Sequence, residues 1–355
     1  MGSYHGEMLL FGPPAAAAPV PRPAPLALDE ELPDLAQYGA QSANGGVLRP
    51  WPARTVEVDG TPIVVRDTPG RAGSEPALYV HGLGGSSTNW TDLAGLLAPW
   101  LDGQALDLPG FGGSGRPPGG DYSQTRFAET VIRWIEQSGR GPVHLFGNSL
   151  GGAVSVRVAA TRPDLVRTLT LISPAMPPVH LRPLQLRMLP VVAVPSNGRL
   201  VARIARTGEP AAIVRETMLR CYADPSVVPE QRVEEAIEAL RVRRELPWMG
   251  ESYIRSFRQL VASYVASYAA IPSQSLWWLA RRVVAPTLVV WGRKDQLVDA
   301  RVALPTTRAI PDSRLMVLGN AGHIAQMECP RQVARATIAL LRDAAAADVP
   351  APVAG

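Results

Sequence analysis

The chain has 355 residues, 46% of them hydrophobic, enough for one large domain with an insertion or for two domains. Its formal charge of +4 comes from basic residues that are nearly all Arg, Lys294 being the one lysine, and they are spread along the chain. That spread reads as solvated helix faces and not as a nucleic-acid surface. No apolar run approaches the roughly 18 residues of a membrane span, and residues 1–10 lack the basic start of a secretion signal. The expectation is a cytoplasmic protein with no nucleic-acid partner and no stable membrane insertion. Its oligomeric state is not encoded legibly.

In chain order, residues 1–50 form an Ala/Pro-rich extension, expected to be largely disordered. A short helix is expected over Asp29–Tyr38. Thr55–Val58 and Ile63–Asp67 then flank Asp59-Gly60, a hairpin signal. Apolar runs follow at Ala77–Val80, Ala105–Leu108, Val143–Phe146 and Thr168–Ile172, and later at Thr287–Trp291 and Leu315–Leu318. They are apolar on successive residues, as strands covered on both faces must be. Helical spacing marks Trp90–Leu101, Gln124–Gln137, Leu150–Thr161 and Arg331–Ala344. Strand–helix alternation of this kind predicts a mostly parallel sheet with helices on both faces. The segment from Pro177 to Arg282 breaks the rhythm. It shows helical stretches only (Gly198–Arg206, Ala211–Cys221, Pro229–Glu245 and Gly250–Ala270), broken at Pro225 and Pro247. The expected organisation is core at 51–176, a helical lid at 177–282, core again at 283–343 and a flexible tail at 344–355.

Gly147-Asn148-Ser149-Leu150-Gly151-Gly152 matches G-x-S-x-G, between the run Val143–Phe146 and a helical stretch. A nucleophilic serine needs such a strand–turn–helix setting, with small residues two before and two after it. Serine also needs a base. Of the five histidines, His5 falls in the extension, His144 inside a strand and His180 near the start of the insertion. His81 and His323 each follow a strand, where open parallel sheets place their ligands. For the acid that orients the base, Asp295 follows Thr287–Trp291, with Asp299 and Asp107 as alternatives. His81-Gly82-Leu83-Gly84-Gly85 is a Gly-rich turn after a strand that could present backbone amides to an oxyanion. Cys221 and Cys329 have no metal or redox spacing; a disulfide between them is allowed but not needed.

These pieces resemble the α/β-hydrolase superfamily in its lid-bearing branch. The resemblance runs through His81–Gly85, Asp107-Leu108-Pro109-Gly110-Phe111-Gly112-Gly113-Ser114, the turn at Ser149, Trp291–Asp295, and Gly322-His323 with Glu328 and Pro330 behind it. It implies an α/β-hydrolase fold with a helical lid and the order nucleophile, acid, histidine. That order selects Ser149, Asp295 and His323, with the amides of Leu83 and Leu150 as the oxyanion hole. Ser149 argues against epoxide hydrolases and haloalkane dehalogenases, which use Asp there. The segments around Ser149 and His323 are also similar to carbon–carbon bond hydrolases of ring-cleavage dienoates. Those carry Pro in the glycine loop and Trp after the histidine, where this chain has Gly84-Gly85 and Ile324. The resulting expectation is an esterase acting through an acyl-enzyme on a small, hydrophobic acyl substrate, with no cofactor and no metal. Carbon–carbon hydrolysis, acyl transfer and a non-enzymatic receptor are the alternatives. Trp277, Trp278, Tyr253, Tyr264 and Tyr268 either line an apolar pocket or pack within the lid.

Overall fold

The protein is described by a computed structural model covering residues 28–35, 48–178, 203, 207–269, 271 and 274–347. Eight strands form one sheet in the order β1-β2-β4-β3-β5-β6-β7-β8. They are β1 (Ala53–Val58), β2 (Thr61–Thr68), β3 (Glu75–Val80), β4 (Leu101–Leu106), β5 (Val143–Asn148), β6 (Val166–Ile172), β7 (Thr287–Gly292) and β8 (Ser313–Leu318). The hairpin β1–β2 is antiparallel, and β2 pairs antiparallel with β4; β3 to β8 run parallel. At the hairpin tip Asp59 and Gly60 take φ of 48° and 71°. Two positive φ values in a two-residue loop make a type I′ turn, whose twist suits the flanking strands.

Helices α1 (Thr91–Leu97), α2 (Gln124–Ser138), α3 (Leu150–Thr161), α4 (Pro210–Cys221), α5 (Glu230–Arg244), α6 (Met249–Tyr268), α7 (Leu276–Ala280), α8 (Ala303–Ala309), α9 (Ala325–Glu328) and α10 (Pro330–Ala347) complete the description. The continuous apolar runs have a simple cause. Successive strand residues point to opposite faces, and here each face has its own core. Leu78, Leu145, Leu171 and Val289 join a core with α2, α3 and α7. Their neighbours Tyr79, Phe146, Ile172 and Val290 join a second core with α1 and α10. Burying each such side chain stabilises by about 1.5–3 kcal/mol. Phe146 also packs its ring 4.6 Å from that of Tyr79, so Phe146→Ala would cost about 3–5 kcal/mol.

Three local expectations shift. The strand expected at Ala105–Leu108 is found at Leu101–Leu106, and α1 ends at Leu97. Asp102-Gly103-Gln104 has little strand propensity of its own. Pairing with β2 on one side and β3 on the other makes it a strand. Of the helix expected over Asp29–Tyr38, residues 36–38 lie outside the described residues and 29–34 are not helical. They lie along the second core instead, with Leu32 and Leu35 packed on it and the Glu30 carbonyl accepting from Arg335 Nε at 3.1 Å. Helix α10 continues through Ala347, four residues into the expected tail.

Between β6 and β7 the described residues are helical or irregular, from α4 to α7. Gly198–Arg206 lies outside the described residues apart from Arg203. Val214, Val233, Leu240 and Met249 form a small cluster of their own, away from the two sheet cores. By contrast Leu276, Trp277 and Leu279 of α7 belong to the main core. The insertion therefore has a separate outer part and an end packed into the body. Among the described residues, no helix is long and apolar enough to cross a membrane.

Candidate active site

The carboxyl ends of the parallel strands bring the candidate residues to one edge of the sheet. Ser149 lies between β5 and α3 with φ 53° and ψ −118°. Three backbone bonds hold this turn: Ser149 N–H donates to Ile172 O (3.1 Å), and Ser149 O accepts from Ala153 N–H (3.1 Å) and Ala175 N–H (2.8 Å). The glycine two residues on has a steric cause. A Cβ on Gly151 would stand 2.2 Å from Val80 O and 2.4 Å from His81 O, which no side chain allows. Ser149 is half-buried, between the buried Asn148 and Leu150.

Asp295 follows β7, and His323 follows β8. The structure brings them together: His323 Nδ1 is 2.9 Å from Asp295 Oδ2. The other carboxylate oxygen, Oδ1, accepts from Leu297 N–H (2.8 Å) and Val298 N–H (2.9 Å). Both side chains are buried. A carboxylate held by two amides is fixed in place, and it keeps the imidazole proton on Nδ1, leaving the Nε2 lone pair free.

The His323 loop is tied down on both sides. Asn148 Nδ2 donates to His323 O (3.1 Å) and to Ile172 O (3.0 Å), so the residue before Ser149 carries the backbone of His323. His323 N–H donates to Cys221 O (2.7 Å) at the end of α4. Glu328 accepts from Gly322 N–H and from Ala223 N–H, each at 2.7 Å, joining the loop to the insertion. Burial pushes the Glu328 carboxyl upward. Asn148 and Glu328 entered the sequence reading only as parts of motifs. Their bonding was not legible because each partner lies on another element.

The other candidates hold loops. Asp107 accepts from Ser87 N–H (2.6 Å) and Gly113 N–H (2.8 Å). Asp299 caps a short helical turn at Arg301 N–H (2.9 Å) and pairs with the Arg301 guanidinium. His81 is fully buried; Leu108 N–H donates to its Nε2 (2.9 Å), so its proton is on Nδ1, which donates to Gly82 O (2.7 Å). Burial holds this imidazole below its ordinary range, hence neutral. His144 lies at the start of β5, at the far end of that strand from Ser149, bonded to Thr168 Oγ1 and Glu75 Oε2. His5 and His180 lie outside the described residues. Cys221 and Cys329 are free thiols, and burial, with the nearby carboxylates of Asp295 and Glu328, pushes Cys221 up to about 12.

Leu83 stands in the glycine loop between Gly82 and Gly84. A Cβ on Gly82 would meet Ser149 Cβ at 3.0 Å, so this loop abuts the serine. Gly84 takes φ +75°, and the ring of Tyr253 lies against it. Leu150 is the first residue of α3, where a helix leaves amides without intrahelical acceptors. Of the insertion's other aromatic residues, Trp277 is buried in the main core and Tyr264 packs on it. Trp278 lies under Arg282 at 4.6 Å, and Tyr268 donates to Pro178 O. Tyr253 of this group adjoins the glycine loop at Gly84.

Comparison with known proteins agrees with this architecture. The family model of the alpha/beta hydrolase fold matches residues 76–330. The chain is 30% identical over 311 residues to a dihydrolipoyllysine-residue acetyltransferase component of an acetoin cleaving system from Pseudomonas putida, covering 87% of this chain and 73% of that protein. It is 28% identical over 273 residues to a monoacylglycerol lipase of Xenopus laevis, covering 75% of each. A bacterial membrane phospholipase A shares the fold with a TM-score of 0.68 at 24% identity, over 83% of this chain and 86% of that one. So does a meta-cleavage product hydrolase from Pseudomonas fluorescens, with a TM-score of 0.64 at 20% identity, over 82% and 98%. With the elbow, the sheet order and a match spanning most of its length, this chain belongs to the α/β-hydrolase family and is an enzyme of the serine-hydrolase kind.

Proposed function

We propose that the protein hydrolyses carboxylic esters through an acyl-enzyme on Ser149. The observation that carries this reading is the buried Asp295–His323 pair, held next to the elbow by Asn148. His323 Nε2 takes the proton of the Ser149 hydroxyl as its oxygen attacks the ester carbonyl. The amides of Leu83 and Leu150 stabilise the tetrahedral oxyanion. The imidazolium, steadied by Asp295, returns the proton to the leaving alcohol. Water, activated by the same imidazole, then releases the acid. The helical insertion acts as a lid, and Leu83 with the Tyr253 ring at the glycine loop favours a hydrophobic acyl group. The lipase among the relatives supports an ester substrate. The test is labelling with a fluorophosphonate probe: the native chain reacts at Ser149 and releases p-nitrophenol from short acyl esters. Labelling elsewhere, or turnover that survives Ser149→Ala, overturns the proposal.

Acyl transfer is the second reading, favoured by the Pseudomonas putida acetyltransferase component. It needs an alcohol or amine acceptor in place of water. Adding acceptors to an ester assay and measuring the acylated product separates the two.

A further inference from the structure

Helix α5 of the insertion sends Arg243 onto the glycine loop, where its Nη1 donates to Gly84 O at 2.5 Å. Its Nε is shielded from solvent and has no hydrogen-bond partner among the described residues. Among the described residues no carboxylate pairs with this guanidinium. The contrast on the same helix is Arg232, which is buried but holds Asp92 at 2.6 Å and Glu235 at 2.5 Å, whereas Arg243 is partly buried. Asp107, whose charge reaches Arg243, spends its oxygens on the Ser87 and Gly113 amides.

A partly buried cation with a shielded donor loses hydration, a cost offset when it is paired and its donors are met. Guanidinium has five N–H donors in a planar fork suited to carboxylate and phosphate. Among the described residues Gly84 O is the acceptor this fork meets, and its Nε is left without one. The place matters as much as the deficit. Gly84 follows Leu83, and Gly82 abuts Ser149, so the fork stands beside the loop assigned to the oxyanion. The Tyr253 ring, from α6, lies against the same glycine. Burial also holds the guanidinium below its ordinary range.

We propose that Arg243 is a substrate-binding residue whose guanidinium receives an anionic oxygen group, a carboxylate or a phosphate, borne by the ester that reacts at Ser149. This deepens the ester-hydrolase reading and rests on it. The preferred substrate is then an amphiphile, with an apolar part and one anionic group close to the scissile bond.

The experiment uses two matched pairs with the full chain. One is p-nitrophenyl pentanoate against the mono-p-nitrophenyl ester of glutaric acid, which places a carboxylate on the acyl side. The other is 1-butyrylglycerol against 1-butyrylglycerol 3-phosphate, which places a phosphate on the alcohol side. The native enzyme should prefer the anionic member of one pair, and that pair identifies the source. Arg243→Gln should lower the anionic-to-neutral ratio of kcat/KM by roughly 30-fold or more, mainly through KM. Arg243→Lys should restore part of it and serves if the Gln variant fails to fold. Arg241→Gln, an exposed neighbour on α5, should leave the ratio alone. A preference for neutral esters in both pairs, or an equal loss on both members in Arg243→Gln, overturns the proposal. A binding arm separates it from the hydrolase reading. Monomethyl glutarate or glycerol 3-phosphate should raise the Tm of Ser149→Ala protein but not of the Ser149→Ala, Arg243→Gln double variant. That shift, together with no ester turnover by the native enzyme, would sink the hydrolase reading and keep the anion site. Its absence with both ligands overturns the anion site.

Discussion

The side-chain amide of Asn148 donates to the backbone carbonyl of His323 across 3.1 Å, although 175 positions of chain separate them. Its other recorded bond is to Ile172 O, at the end of the neighbouring strand. The residue before the candidate nucleophile thus sets the height of the candidate base.

Asn148→Ala removes both donors and frees the His323 loop to drift. It should lower kcat for ester hydrolysis by roughly 10- to 100-fold with little change in KM, because misplacement of about 1 Å can cost that much. Two buried carbonyls lose a partner, so unfolding free energy should fall by about 1–3 kcal/mol. Steady-state kinetics and denaturant titration check both. Unchanged kcat in a destabilised variant would leave Asn148 a purely structural role.

Ser149 carries a side chain at φ 53° and ψ −118°, a region that suits glycine. Ser149→Gly should abolish ester turnover and yet raise stability by about 1 kcal/mol through relief of backbone strain. Ser149→Ala should lose the activity without that gain. A drop in Tm for the Gly variant would contradict the strain.

Asp295 does two separable jobs, one for each carboxylate oxygen. Asp295→Asn should lower kcat by roughly 10³–10⁴ through the imidazole tautomer. Asp295→Ala should match that loss and also destabilise the fold by about 1–3 kcal/mol, since the Leu297 and Val298 amides lose their acceptor. Near-native turnover in the Asn variant would remove Asp295 from the relay.

Burial lowers the imidazole pKa of both His81 and His144. The unfolded chain binds their protons at about pH 6.5, while the folded chain resists until lower pH. The stability they contribute is present above about pH 6.5 and is lost as pH falls through the folded values, by up to about 1.4 kcal/mol per pH unit for each proton. Melting temperature should therefore decline from about pH 6.5 downward. His144→Gln should flatten that acid slope. An unchanged slope would mean that Glu75 and Thr168, the partners of His144, stabilise the charged ring as well as burial disfavours it.

Much of the fold was readable because its signals are local. The apolar runs, the Asp59-Gly60 turn and the glycines around Ser149 each state a requirement that their immediate neighbours impose. Their positions after strands offered Ser149, Asp295 and His323 among several candidates at one edge of a parallel sheet, and the family resemblance selected those three. What the residues could not state was which side chains meet across that edge. Leu145 and Phe146 look alike in the pattern, yet they serve different cores because the helices on the two faces come from distant parts of the chain. Leu101–Leu106 is a strand because two neighbours pair with it, against its own propensity. His81 is a neutral strut, where its position after a strand also allowed a base. Arg243 is one Arg among many in sequence, and only packing sets it on the glycine loop with no carboxylate partner among the described residues. Periodicity and turn chemistry follow from each residue's own geometry. Hydrogen-bond partners and buried charge follow from burial that the whole chain creates together.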